Sequence, residues 1–275
     1  MSTERRRRPS IGLVAGCLVA LAAITVTSGC GNGSAATGPS LPASDRPGQE
    51  FVFYEDFGTD APLGTFLDHY GDRFTAYEDP AQDTSRLARG KDSGYYDSAK
   101  TLSAANGKLD SWLHYDQASG KYLVSALLPK LPTLTAGQFV LRMRADRIAG
   151  YKVVPLLWPD SEKWPDDGEV DFPEGKLDGS NWRAAMHYAS STGGEEDFDA
   201  GVDGSRWHTY EIDWSPGKVD FLVDGKSIGR STDGVPDKPM HWVWQFETNT
   251  DGPPPPKSAQ GHVQVDWAKV YRPTG

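Results

Sequence analysis

Three carboxylates crowd one short stretch of this chain: Glu169, Asp171 and Glu174 in "GEVDFPEG". Paired acids can run hydrolytic chemistry, one as nucleophile or base and the other as proton donor, if both reach the same bond. The stretch reads as a strand, in which side chains alternate between faces. Val170 and Phe172 are the apolar alternates and take the core face, so Glu169 and Asp171 share the other. Regular alternation would send Glu174 into the core, where an unpaired acid is costly. Pro173 offers a way out, because proline is tolerated within sheets at bulges and edges. One extra residue at Phe172-Pro173 restores the parity and brings Glu174 onto the face of Glu169. With that residue counted out, the two glutamates lie about four strand steps apart, roughly 13 Å at ~3.3 Å per step. Side chains leaning inward approach the ~5–5.5 Å of a retaining glycosidase, and leaning less, the ~6.5–9.5 Å of an inverting one. The spacing leaves both open. Three acids this close cannot all ionise freely, so one is expected to hold its proton near neutrality. Taken alone, the triplet also suits a surface charge patch or a cation site.

The elements that must carry these acids are strands. "QFVLRMRAD" alternates Phe139, Leu141 and Met143 against Val140, Arg142 and Arg144, and "HTYEIDW" alternates Tyr210, Ile212 and Trp214 against Thr209, Glu211 and Asp213. "KVDFLVDGKSIG" predicts a hairpin turning at Asp224-Gly225. "HVQVDWAKVYR" places Val263, Val265 and Trp267 on one face of a last strand. Gly and Pro punctuate the junctions, and no window of helical period rivals these patterns. Short strands at this density predict an all-β sandwich or barrel, and the length favours a two-sheet antiparallel jelly roll with one concave face.

At this point the motif can be set beside known ones. "GEVDFPE", preceded by "LLWPDSEKWP", resembles glycoside hydrolase family 16, whose motif is Glu-x-Asp-x-Glu or, in the bulged branch that contains laminarinases, Glu-x-Asp-x-x-Glu. "RWHTYEIDWSPGKVDFLVDGKSIG" and "VDWAKVYRP" resemble the family's later strands, so the resemblance covers residues 51 to 273. It implies a concanavalin A-like jelly roll and endo-hydrolysis of a β-linked polysaccharide with retention, β-1,3- or mixed-linked glucan first. It also implies Glu169 as nucleophile, Asp171 as its modulating neighbour and Glu174 as acid/base. A non-catalytic carbohydrate-binding jelly roll is disfavoured, because a pure binder has no reason to cluster acids that repel. A polysaccharide lyase on the same architecture is disfavoured by the lack of an obvious basic cleft.

Substrate contacts are expected from Trp158 and Trp164, which flank the acidic strand, although both would also serve as loop anchors. His187 in "NWRAAMHYAS" is placed to reach the cleft beside Glu174, and resembles a histidine of the family's neighbouring strand. In "HWVWQFETN" the aromatic face of Trp242, Trp244 and Phe246 reads as core. Gln245 and Glu247 on the opposite face are expected to bond sugar hydroxyls, and here the chain departs from the family's Asn-containing strand. No cofactor is expected for catalysis and no catalytic metal. The resemblance allows a structural calcium near the chain ends, with Asp266 and the Glu55-Asp56 pair as candidate ligands beside the plainer reading of solvated acids.

Ahead of the domain, "MSTERRRRPS" and "IGLVAGCLVALAAITV" followed by "TSGC" form the three parts of an export signal over residues 1–29. Its ending is similar to a bacterial lipoprotein box, with Cys30 as the lipidated first residue and Thr27 where an aliphatic is usual. Residues 30–50, rich in Gly, Ser, Ala and Pro, read as a flexible tether to a domain at 51–275. The only cysteines are Cys17 and Cys30, so that domain has no disulfide. Removing residues 1–29 takes four Arg and one Glu from a formal net charge of −10, leaving −13. Such a surface argues against nucleic acid and suits a neutral polysaccharide partner and a monomer held to the membrane only by its lipid.

Overall fold

The computed structural model describes residues 47–274 except Thr192. The chain divides into two units, Met1–Ser40 and Leu41–Gly275, and every described residue belongs to the second. The predicted export signal, Cys30 and most of the tether lie outside the described residues. Strands start early with β1 (Gln49–Glu55), β2 (Phe74–Ala76), β3 (Gly94–Tyr96) and β4 (Leu102–Ala104). The middle holds β5 (Leu109–Asp116), β6 (Lys121–Pro129), β7 (Gly137–Ala145), β8 (Tyr151–Pro159), β9 (Glu169–Lys176) and β10 (Arg183–Tyr188). The end holds β11 (Gly194–Asp199), β12 (His208–Ser215), β13 (Lys218–Val223), β14 (Lys226–Ser231), β15 (Met240–Thr248) and β16 (Gly261–Pro273). No α-helix among the described residues exceeds five residues.

The strands form two layers. One runs β11-β10-β9-β8-β15-β6 and the other β5-β16-β7-β12-β13-β14, joined at the β5–β6 hairpin where Asp116 faces Lys121. Pairing is antiparallel except where β3 lies parallel to β6. This is the all-β jelly roll that the alternating patterns predict. The β13–β14 turn falls at Asp224 and Gly225, both with positive φ (49° and 76°), the conformation a two-residue hairpin loop requires.

Between the layers the apolar alternates meet. Phe172 of β9 is 1% exposed and sets its ring edge-on to Tyr210 and Phe221 of the opposite layer, at 5.4 and 5.5 Å. Trp242, Trp244 and Phe246 are buried on the same side, as their spacing predicts. A core this aromatic fixes the pleat of β8, β9 and β15. Each burial of a large side chain contributes on the order of 1.5–3 kcal/mol, so a one-residue slip of any strand is strongly disfavoured. The polar alternates of these strands are thereby turned to the outer face of the layer.

Candidate active site

Gly168 leads the chain into β9 with φ +83°, and a Cβ there would come within 3.1 Å of Pro236. Val170 and Phe172 then plug into the core, which turns Glu169 and Asp171 outward. Across to β10, Glu169 faces His187 and Asp171 faces Ala185, but Glu174 faces Arg183, so three steps of β9 oppose two of β10. Across to β8, Asp171 faces Leu156 and Gly175 faces Val153, so four steps oppose three. One extra residue therefore sits between Asp171 and Glu174, at the cis Phe172-Pro173 peptide. It lies where the proline led us to expect it, and it brings Glu174 onto the face of Glu169 and Asp171. His187 and Arg183 are four residues apart, so the span of the two glutamates is about 13 Å along the strand. Gly175 then passes so close to Trp182 that a Cβ would meet its ring at 2.1 Å.

Glu169 and Asp171 form one electrostatic unit with His187. Ligand atoms of the three lie within 4.8 Å of one another, and among the described residues no other three His, Cys, Asp or Glu gather so closely. The His187 Nε2 lies 3.0 Å from Asp171 Oδ2, so the ring is engaged with the carboxyl. Asp171 is 2% exposed, and its Oδ1 has no protein partner. Burial pushes its proton affinity well above the usual carboxylate range, the charge of Glu174 adds to this, and Glu169, Lys152 and Arg183 oppose it. Glu169 is pushed up to about 9, by burial first and by Asp171 next, with His187 and Trp164 pulling the other way. Two adjacent buried carboxyls of this kind hold one proton between them at neutral pH. The Trp164 indole donates to Glu169 Oε2 at 2.6 Å and steadies the charge that remains.

Glu174 stands apart from that pair and has a cation of its own. Arg183 Nε donates to its Oε2 at 2.8 Å. Below it lies a second, buried ion pair. Lys152 of β8 sits 3.3 Å from Glu247 of β15, directly across the ladder. Burial draws the Lys152 proton affinity down, but Glu247, Glu174 and Asp171 outweigh it and leave the ammonium stabilised. Hollows flank the row of acids: about 280 Å³ beside Glu174, bounded by Lys152, Arg183 and Asn181, and about 560 Å³ beside Glu169, bounded by Trp164, His187 and Glu195. A chain-like ligand can thus pass over the acids with room at both ends.

Two expectations need correction. Glu247 does not face sugar hydroxyls: it is fully buried, accepting from Thr84 Oγ1 at 2.5 Å and from the Tyr96 hydroxyl while it pairs with Lys152. An acid in that position survives only with its oxygens satisfied, which is what these partners do. His187 belongs with Asp171 and Glu169, because it stands opposite Glu169 in the ladder, and Arg183 takes the place beside Glu174, where the unshifted register would set Trp182. The other candidates lie on the acidic face. Trp164 is 51% exposed, Trp158 is half-buried with its indole on Glu162, and Gln245 is half-buried opposite Val154. Of the acids considered for calcium, Asp266 pairs with Arg142 at 2.6 Å, and Glu55 takes Arg73 and two backbone amides. Those acids bring no three-residue cluster together, so calcium would need other donors.

Lys152 and Arg183 were not singled out from sequence. A signal existed for each: Lys152 is the lone charge in the apolar run "YKVVPLLW", and Arg183 alternates onto the face of His187.

Comparison with known proteins finds relatives in sequence and in fold. A stretch of "Beta-glucanase" from Acetivibrio thermocellus is 39% identical over 112 residues, covering 38% of this chain and 31% of that protein's length. The matched part is thus about a third of the curated relative. The fold is shared with the laminarinase from Rhodothermus marinus (TM-score 0.64, 18% identity, 86% of this chain and 100% of that one). It is shared equally with an endo-1,3-beta-glucanase from Streptomyces sioyaensis (TM-score 0.66, 17% identity, 86% and 100%). The family model of glycosyl hydrolases family 16 matches residues 98–269, which include the whole acidic strand and its neighbours, and the chain belongs to that family.

Proposed function

We propose that this protein is an exported, lipid-tethered endo-hydrolase of β-glucan, acting on β-1,3- or mixed-linked chains by a retaining double displacement. The observation that carries the reading is the bulge of β9, which gathers Glu169, Asp171 and Glu174 on one face between two hollows. The names of the relatives, laminarinase and beta-glucanase, support the substrate class.

In the first step Glu174 gives its proton to the glycosidic oxygen while the Glu169 carboxylate attacks the anomeric carbon and the bond to the leaving sugar breaks. In the second, Glu174 takes a proton from water, the water oxygen attacks the same carbon, and Glu169 leaves as carboxylate. Asp171 keeps the shared proton beneath Glu169, so a single charge and not two faces the substrate. The Trp164 indole aims that carboxylate and offers its ring to a sugar. The neutral sugars of a glucan meet no charge barrier on an acidic surface.

The test is a product assay on a panel of neutral and sulfated polysaccharides, with proton NMR of the first anomer released. A retained anomer from a β-glucan is the expected result. Inversion, or activity confined to another polymer, overturns the reading.

A further inference from the structure

In a double displacement the acid/base carries a proton in one half-reaction and is a bare carboxylate in the other. In this structure the Arg183 guanidinium donates to Glu174 Oε2 at 2.8 Å. The guanidinium has other partners too. Its Nη1 lies 2.6 Å from Asp197 and 3.2 Å from Glu195, both on β11 and both about half exposed. Neither acid has a part in the chemistry described above.

We propose that Arg183 is a positioning residue shared between Glu174 and the Glu195–Asp197 pair, so that Glu174 can take up and release its proton without the cation leaving the site. When Glu174 carries its proton, the β11 acids hold the guanidinium; when Glu174 is bare and activates water, Arg183 closes onto it. The inference rests on Glu174 being the acid/base.

The other charged groups around Glu174 are committed elsewhere. Lys152 of β8 belongs to Glu247 of β15, and Lys176 of β9 pairs with Asp251 at 2.8 Å. Asp171 and His187 are joined to each other beside Glu169, and Asp199 of β11 accepts from Asn181 and from the Gly201 backbone. Arg183 is therefore the cation whose partners can trade.

The experiment is the pH profile of kcat/KM on soluble β-glucan for three variants, with Glu174→Ala in parallel. Arg183→Met removes the cation beside Glu174, so the alkaline limb should move up. The water-activating step should also slow, which lowers kcat more than kcat/KM on an aryl oligosaccharide with a good leaving group. Glu195→Gln with Asp197→Asn leaves Arg183 wholly to Glu174, so the same limb should move down. Arg183→Lys keeps a cation and should lie between parent and Arg183→Met. If Arg183→Met does not fold, Arg183→Lys and the β11 double variant decide the matter. Limbs that stay in place, or that move the same way in both kinds of variant, overturn the proposal while Glu174→Ala is still inactive. A Glu174→Ala enzyme that hydrolyses polymer normally overturns the role of Glu174 itself.

Discussion

At the scale of single residues, the roles proposed for the two glutamates differ, and on that proposal their variants should fail differently. Glu169→Gln removes the attacking carboxylate, so hydrolysis of every substrate should fall about 10⁴-fold while sugar binding survives. Glu174→Ala removes the proton donor and should cost about 10²–10⁴-fold on polymer, less on substrates with good leaving groups. Added azide should then intercept the glycosyl-enzyme and give a glycosyl azide of retained configuration, read by NMR. The proton held by Glu169 and Asp171 has a thermodynamic consequence as well. Both carboxyls bind protons more tightly folded than unfolded, Glu169 with a value of about 9. Their contribution to stability is complete below the ordinary carboxylate range and drains away as pH rises from there to about 9. Glu169→Gln cannot ionise, so its Tm should exceed that of the parent at about pH 8 and match it at about pH 4, at roughly 2–4 °C per kcal/mol for a domain of this size. Equal Tm differences at both pH values would remove the shared proton from the account.

At the scale of elements, the bulge in β9 is the device that makes a site out of a strand. Deleting Pro173 removes the extra residue and leaves Glu-x-Asp-x-Glu, in which plain alternation by itself keeps Glu174 on the face of Glu169 and Asp171. Activity on β-glucan should therefore survive in part, and no buried acid should lower the Tm. A Pro173 deletion that folds but is inactive would mean that Glu174 needs the bulge for more than its parity. The pair of Lys152 and Glu247 ties β8 to β15 beneath the acids. Lys152→Met leaves Glu247 buried without a cation, and a loss of about 3–5 kcal/mol is expected in urea unfolding. Adding Glu247→Gln should recover much of that loss, since the uncompensated charge is then gone. Failure to recover would show that Lys152 acts through packing and not through its charge.

At the scale of the whole molecule, the domain is a sandwich with an aromatic core and no cysteine, and it gathers its three acids on one face. Its proposed attachment to a membrane depends on Cys30. The mature protein should fractionate with membranes, and Cys30→Ala should release it or trap the precursor. A wild-type protein found wholly soluble with an unmodified amino terminus would leave a plain secreted enzyme.

How much of this was legible in the sequence depends on the range of the interaction. Alternation is a local property, so the strands, the hairpin at Asp224-Gly225, the core role of Phe172 and Trp242, and the common face of Glu169 and Asp171 follow from neighbours in the chain. Pro173 even announced the bulge, because the lost N–H and the misplaced parity of Glu174 point to the same peptide. What local pattern could not say is which residue of another strand stands opposite each acid. Only the paired register of β9 and β10 decides that His187 stands opposite Glu169, and that the one-residue shift puts Arg183, and not Trp182, opposite Glu174. Glu247 is the sharper case. Period two places it correctly on the acidic face, yet Thr84 and Tyr96, more than 150 residues away in the chain, close over it and make it a buried counter-ion. Solvent exposure is a property of all the chain that packs above a side chain, and no stretch of nine residues contains that information.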